Sequence, residues 1–159
     1  MDMFVTQKMI DDHEVVEGDP VLFSGLFVQY AAGTTLEPVV RSGTVAMLPP
    51  DLIETTLHHP GHIYLAEAHA FHGNSGSPMF VDVNKFKTGI GFEYRFLGIV
   101  AGEVLETTDL SLQTATTYHG SVSANSDISM IVPADEIRKI VLSPRAQHLR
   151  DAEIAAQPK

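Results

Sequence analysis

Short apolar runs, each closed off by Gly, Pro, Asn or Asp, recur along most of this chain. No other feature constrains its folding as much. A segment of strand length cannot satisfy its own backbone donors and acceptors, so it must pair sideways, and the intervening turn residues supply the reversals. The runs at 21–29, 39–47, 62–70, 79–83, 92–101 and 128–132 predict six strands. Gly43, in the middle of the second run, predicts a bulge or a sharp bend of the kind a closed barrel needs. Pro49-Pro50 ends that run, 51–61 reads as a loop with at most one helical turn, and the Lys and Gly content of 84–91 reads as an exposed hairpin tip. Residues 105–126 are Thr/Ser-rich and poorly periodic, which predicts a long loop, either serving a substrate or partner or making a plain surface excursion.

Helix signals are confined to the end of the sequence. Pro133, Asp135 and Glu136 precede apolar residues at Ile137, Ile140 and Val141, which predicts a helix to about residue 142 with one buried face. Ser143-Pro144 breaks it, and 145–156 reads as a polar helix or a frayed terminus.

A chain of 159 residues is served by one core, since a domain of about 100–200 residues buries roughly two-thirds of its unfolded surface. The absence of cysteine excludes a disulfide framework, a thiolate nucleophile and a zinc knuckle. With 20 acidic against 10 basic residues, the net charge of −10 repels a phosphate backbone, so no nucleic-acid partner is expected. The longest apolar runs, such as 96–101, fall far short of the ~18 residues a membrane span requires. The opening residues Met1 to Lys8 lack a basic segment leading into an apolar stretch, so the expected location is the cytoplasm, without membrane association.

The segment with chemical content is His72-Gly73-Asn74-Ser75-Gly76-Ser77-Pro78, between two predicted strands. A serine hydroxyl is a poor nucleophile unless a tight turn exposes it, a base takes its proton and nearby N–H groups stabilise the oxyanion that its attack creates. Gly73 leaves room for its own N–H to face a concave site beside that of Ser75, and Gly76 lets backbone and substrate approach closely. Gly-Asn-Ser-Gly is also simply a favourable turn composition. The nucleophile elbow of α/β-hydrolases does not fit, because Ser77 stands where its second glycine is required and Pro78-Met79-Phe80-Val81 continues as strand rather than helix.

Gly73-Asn74-Ser75-Gly76-Ser77-Pro78 resembles the G-[DN]-S-G-[GS]-P signature of trypsin-like, chymotrypsin-fold serine peptidases of the bacterial type. Leu97-Gly98-Ile99-Val100-Ala101-Gly102 is similar to the family's strand after the nucleophile, and Ile131 to Ile137 is similar to its last strand and C-terminal helix. Glu17 to Phe27 and Arg41 to Met47 resemble the opening strands of the second barrel. The resemblance covers about residues 15–142. It implies an all-β fold, a six-stranded antiparallel Greek-key barrel with a C-terminal helix. It divides the chain into a linker remnant at 1–17, the barrel and helix at 18–142, and a polar, possibly helical tail at 143–159. It also implies serine endopeptidase chemistry, with Ser75 as nucleophile, the N–H groups of Gly73 and Ser75 as oxyanion hole, and His69, Val100, Ala101 and Gly102 shaping the substrate cleft.

The same resemblance assigns the general-base histidine and its orienting aspartate to a first barrel. The roughly 20 residues before the first predicted strand are too few for six more strands of about 5 residues each. His72 and His69 stand three and six residues before Ser75, with His69 at the base of the side-chain pocket by resemblance. His13 lies in the linker-like segment, expected to be mobile. His58, His59 and His62 surround Pro60-Gly61 and read as solvated rather than as a metal site. No metal or cofactor is expected. Two functions remain open: the nucleophile-bearing half of a peptidase acting on a peptide or protein substrate with a first-barrel partner, or a non-catalytic peptide-binding or assembly module that self-associates or binds a partner.

Overall fold

The structure, a computed structural model, describes residues 3–26, 37–55, 58–71, 73–84, 93–113 and 117–156. Among the described residues eight strands run in chain order as β1 (Pro20–Leu26), β2 (Pro38–Met47), β3 (Ile53–Glu54), β4 (Pro60–Gly61), β5 (Tyr64–Glu67), β6 (Pro78–Asp82), β7 (Tyr94–Gln113) and β8 (Thr117–Pro133). Among the described residues three helices accompany them: α1 (Gln7–Asp11), α2 (Ala134–Val141) and α3 (Pro144–Ala156). Six strands close into an antiparallel barrel in the order β1-β2-β5-β8-β7-β6, while β3 and β4 form a separate two-stranded ribbon within the segment expected to be a loop. Closure comes from β6 returning to β1, with Val21 opposite Val81 and Phe23 opposite Met79.

Period-two alternation decides the interior. Val21, Phe23 and Gly25 on β1 face inward between more exposed Leu22 and Ser24, and Tyr64 and Ala66 do so on β5. Phe23, Met79, Leu97 and Ile131 are the largest fully buried side chains, one from each of four strands. Each contributes roughly 1.5–3 kcal/mol by leaving water.

Gly43 departs from expectation. Its pairing with Val21 is regular, and the register shift in β2 falls between Val45 and Met47. Close approach is what requires glycine here: a Cβ at residue 43 would lie 2.0 Å from the Glu67 carbonyl oxygen and 2.9 Å from the Ala68 Cβ. The other departure is 105–126. Instead of a loop, these residues extend β7 and β8 into a long hairpin arm, paired from Leu105 opposite Asn125 to Gln113 opposite Thr117. Threonine favours the extended backbone whatever the hydrophobic period, so the five threonines of this segment were the stronger signal. Several other strands differ in extent: β5 is confined to Tyr64–Glu67, and the predicted hairpin tip falls mostly outside the described residues.

The N-terminal segment packs against the barrel. Val5 and Val15 are buried in the barrel core, and the Val5 N–H donates to the Phe96 carbonyl at 2.9 Å. Asp135, in the first turn of α2, accepts from the Gln7 N–H at 2.9 Å, so one carboxylate ties α2 to the start of α1. Beside it, Tyr64 is pushed up to about 12, first by burial and then by the negative charges of Asp135, Glu136 and Asp11.

Two outcomes follow from these contacts. Gly43→Ala should cost about 3 kcal/mol of stability by denaturant titration, because backbone rather than a flexible side chain occupies the space. Titration at 295 nm should show a tyrosinate forming near pH 12 that is absent from Tyr64→Phe. Because the folded state holds this proton more tightly than the unfolded chain, whose tyrosines titrate near 10, Tyr64 contributes stability that is full below pH 10 and lost as pH rises through 12.

Candidate functional site

The Ser75 loop bridges β5 and β6, and side-chain hydrogen bonds support it both before and within the loop. On the β5 side, the Ala68 carbonyl accepts from the Ser129 hydroxyl at 2.6 Å, and the Ala70 carbonyl from Asn125 Nδ2 at 2.7 Å. The chain is thereby fixed to β8 before the loop begins. Within the loop, Asn74 is only 1 % exposed. Its Oδ1 accepts from the Phe71 N–H at 2.9 Å, and its Nδ2 donates to the Leu26 carbonyl at 2.8 Å. Gly25 makes room for this amide, since a Cβ there would lie 2.7 Å from Asn74 Nδ2 and 2.6 Å from Ser77 Oγ.

With Asn74 drawn inward, Ser75 is turned outward. Gly73 and Gly76 flank it at φ +99° and +88°. The backbone donors then divide. Asn74 N–H donates to Phe71 O at 2.9 Å, Gly76 N–H to Val100 O at 2.7 Å and Ser77 N–H to Asn74 O at 3.0 Å. Among the described residues, the N–H groups of Gly73 and Ser75 have no backbone acceptor. Such a pair of uncommitted donors beside a hydroxyl is available to an anion or a polarised carbonyl oxygen.

A cavity of about 240 Å³ opens beside the hydroxyl. Four of the six residues expected at the site, Gly73, Ser75, Val100 and Gly102, line it. Ala70 and Phe71 wall it on the loop side, and Glu103 and Leu105 on the arm side. Ala101 does not line it but sits in the register shift between Val100 and Gly102, where its carbonyl accepts from Ser75 Oγ at 3.2 Å. His69 does not line it either. Its Nδ1 pairs with the carboxylate of Asp127, and its ring meets Phe71 edge-on at 4.3 Å. Phe71 in turn carries the Arg41 guanidinium 4.7 Å over its ring.

Reading the sequence did not single out Asn125, Asp127, Glu103 or Leu105. Asn125 also donates to Glu103 Oε2 at 2.8 Å, so one amide joins the loop side of the cavity to the arm side. Asp127 adopts φ +63° within β8, at the register shift between the Glu103–Ser129 and Leu105–Asn125 pairs. Nothing in the sequence says that this irregularity lies against residues 69 and 70.

Ser75 Oγ has an acceptor for its proton in the Ala101 carbonyl, but a carbonyl does not remove that proton. Among the described residues, no imidazole or carboxylate bonds the hydroxyl; His72 lies outside them. His13, at φ +60°, faces the Ile10 carbonyl at 3.3 Å. His58 pairs with Glu54 at 3.5 Å, and no group of three or more His, Asp or Glu among the described residues is placed to hold a metal. No helix of the described residues is long and apolar enough to cross a membrane.

No protein-family model matches this chain, and no curated protein or solved structure matches it either.

The loop's dependence on Asn74 is testable directly. Asn74→Ala removes a buried amide and leaves the Phe71 N–H and Leu26 carbonyl without it, so urea unfolding should show a loss of about 2 kcal/mol.

Proposed function

We propose that this barrel is the nucleophile-bearing half of a trypsin-like serine endopeptidase, with Ser75 forming the acyl-enzyme. The observation that carries this reading is the division of the loop's donors: every N–H from Asn74 to Ser77 is committed to a carbonyl except that of Ser75, and Gly73 adds a second uncommitted donor on the cavity side. Central residues of a turn leave such donors open in general; here the two donors accompany an exposed hydroxyl, and Gly73 and Ser75 both line the cavity. The strand order supports the same reading, because β6-β1-β2-β5 sets the fourth barrel strand beside the first, as a Greek key does.

In the reaction, Ser75 Oγ leaves the Ala101 carbonyl, gives its proton to a base and attacks the substrate carbonyl carbon. The Gly73 and Ser75 N–H groups receive the developing oxyanion. The cavity walled by Val100 and Gly102 takes the side chain next to the bond being cut. A histidine supplied with a first barrel, on this polypeptide or another, serves as the base.

A second reading is favoured by the hydroxyl's bond to Ala101 and by the absence of a base on it among the described residues. In that reading the loop is a structural inheritance, and the barrel binds peptides or assembles with a partner without hydrolysing them.

A fluorophosphonate probe separates the two. The peptidase reading expects covalent labelling that disappears in Ser75→Ala. Labelling need not be fast, since triad knockouts retain catalysis of about 10³–10⁴ over water through the oxyanion hole and binding alone. Absence of labelling, with candidate first-barrel chains added, contradicts the peptidase reading and leaves the binding module.

A further inference from the structure

Another cavity, of about 310 Å³, shares no lining residue with the one beside Ser75. Gln7 at the start of α1, Tyr64 at the start of β5 and Asp135, Glu136 and Lys139 of α2 surround it, together with Pro49, Pro50 and Pro133. Its volume falls at the lower end of the range of small-molecule pockets. Tyr64 is the group that asks for a ligand. The residue is only 7 % exposed, and among the described residues its hydroxyl has no hydrogen-bond partner. A buried phenol ordinarily has one. Burial first, and then the negative charges of Asp135, Glu136 and Asp11, hold the proton on it; those carboxylates belong to the helices that wall the cavity, so the hydroxyl end of the ring is turned toward them. We propose that this cavity binds a small aliphatic ammonium, its charged head between the Tyr64 hydroxyl and the carboxylates of Asp135 and Glu136 and its stem along the three prolines.

Three observations select this ligand. The first is charge: two carboxylates line the cavity against the single ammonium of Lys139. Asp135 accepts from the Gln7 N–H at 2.9 Å, a neutral donor that leaves its charge uncancelled. Glu136 pairs with Lys139 at 2.6 Å, but the lysine side chain is largely exposed, and such pairs give way at little cost. The second is the state of the α2 N-terminus, where an anion would otherwise be at home. Pro133, its N-cap, has no N–H to offer, and Asp135 and Glu136 already complement the helix dipole in the first turn. An anion placed there would meet two carboxylates. The third is the remaining wall. Pro49, Pro50 and Pro133 present ring methylenes without an N–H donor, which suits a hydrocarbon stem. A metal ion is not served, since no group of three or more His, Asp or Glu among the described residues is placed to hold one.

This site is independent of the chemistry proposed for Ser75. The experiment titrates the whole protein with n-butylammonium at neutral pH and follows the amide shifts by NMR. The shifts should saturate with a Kd on the order of 1 mM, the scale for a ligand of few atoms, and centre on the residues that line the cavity. Neutral n-butanol and anionic butyrate should bind about tenfold more weakly or not at all. Asp135→Asn keeps an acceptor for the Gln7 N–H and removes the charge, so it should weaken n-butylammonium by about tenfold. Tyr64→Phe should weaken it about threefold, the worth of one hydrogen bond. Lys139→Gln should instead tighten it about threefold, because it frees Glu136 and removes the competing cation. Lys139 is exposed, so this variant decides the matter even where Asp135→Asn or Tyr64→Phe fails to fold. Equal binding of n-butanol, tighter binding of butyrate, weaker binding of n-butylammonium to Lys139→Gln, or shifts that do not saturate would each overturn the proposal.

Discussion

The buried amide of Asn74 is the constraint on which the site depends. A primary amide that is 1 % exposed must satisfy both its ends inside the protein. It does so by accepting from Phe71 within its own loop and donating to Leu26 at the end of β1. The second bond links residues 48 apart in sequence, so the loop cannot form its shape until the barrel has closed around β1 and β6. Once Asn74 is turned inward, Ser75 must turn outward, and the neighbouring amides are sorted into those held by carbonyls and those left open.

The arm extends that logic from the loop to the far wall of the cavity. β7 passes from the barrel wall, where Val100 exchanges bonds with Gly76 and Ser77, to the cavity rim at Gly102, and then into the arm. A single strand thus contributes to core, cleft and arm. Asn125 reinforces the junction, because one side-chain nitrogen bonds both the Ala70 carbonyl and the Glu103 carboxylate. A displacement of the arm at its root is therefore felt at the chain entering the Ser75 loop.

The strands of the barrel were legible because short apolar runs end at turn residues, and 21, 23, 79, 81 and 97 within those runs are the residues buried inside. The first helical turn of α2 was legible for a different reason, since its acids match the helix dipole regardless of what they touch. The arm was not, because a ribbon outside the core has no inward face to impose a period on its side chains. Gly43 was read as a bend when its glycine answers to the Glu67 carbonyl, a contact across two strands that sequence spacing does not contain. At the site, Gly73, Ser75, Val100 and Gly102 were named from a motif and meet at one cavity. His69 was named with them, yet its partner Asp127 belongs to a strand 58 residues further on, and only the folded barrel brings the two together.

Hydrogen exchange of the loop amides, followed by NMR residue by residue, measures the sorting of donors directly. The account predicts that the N–H groups of Asn74, Gly76 and Ser77 exchange slowly in the folded protein while those of Gly73 and Ser75 exchange fast. Protection of Gly73 and Ser75 equal to that of their neighbours would contradict it, since both donors would then be occupied by the protein itself.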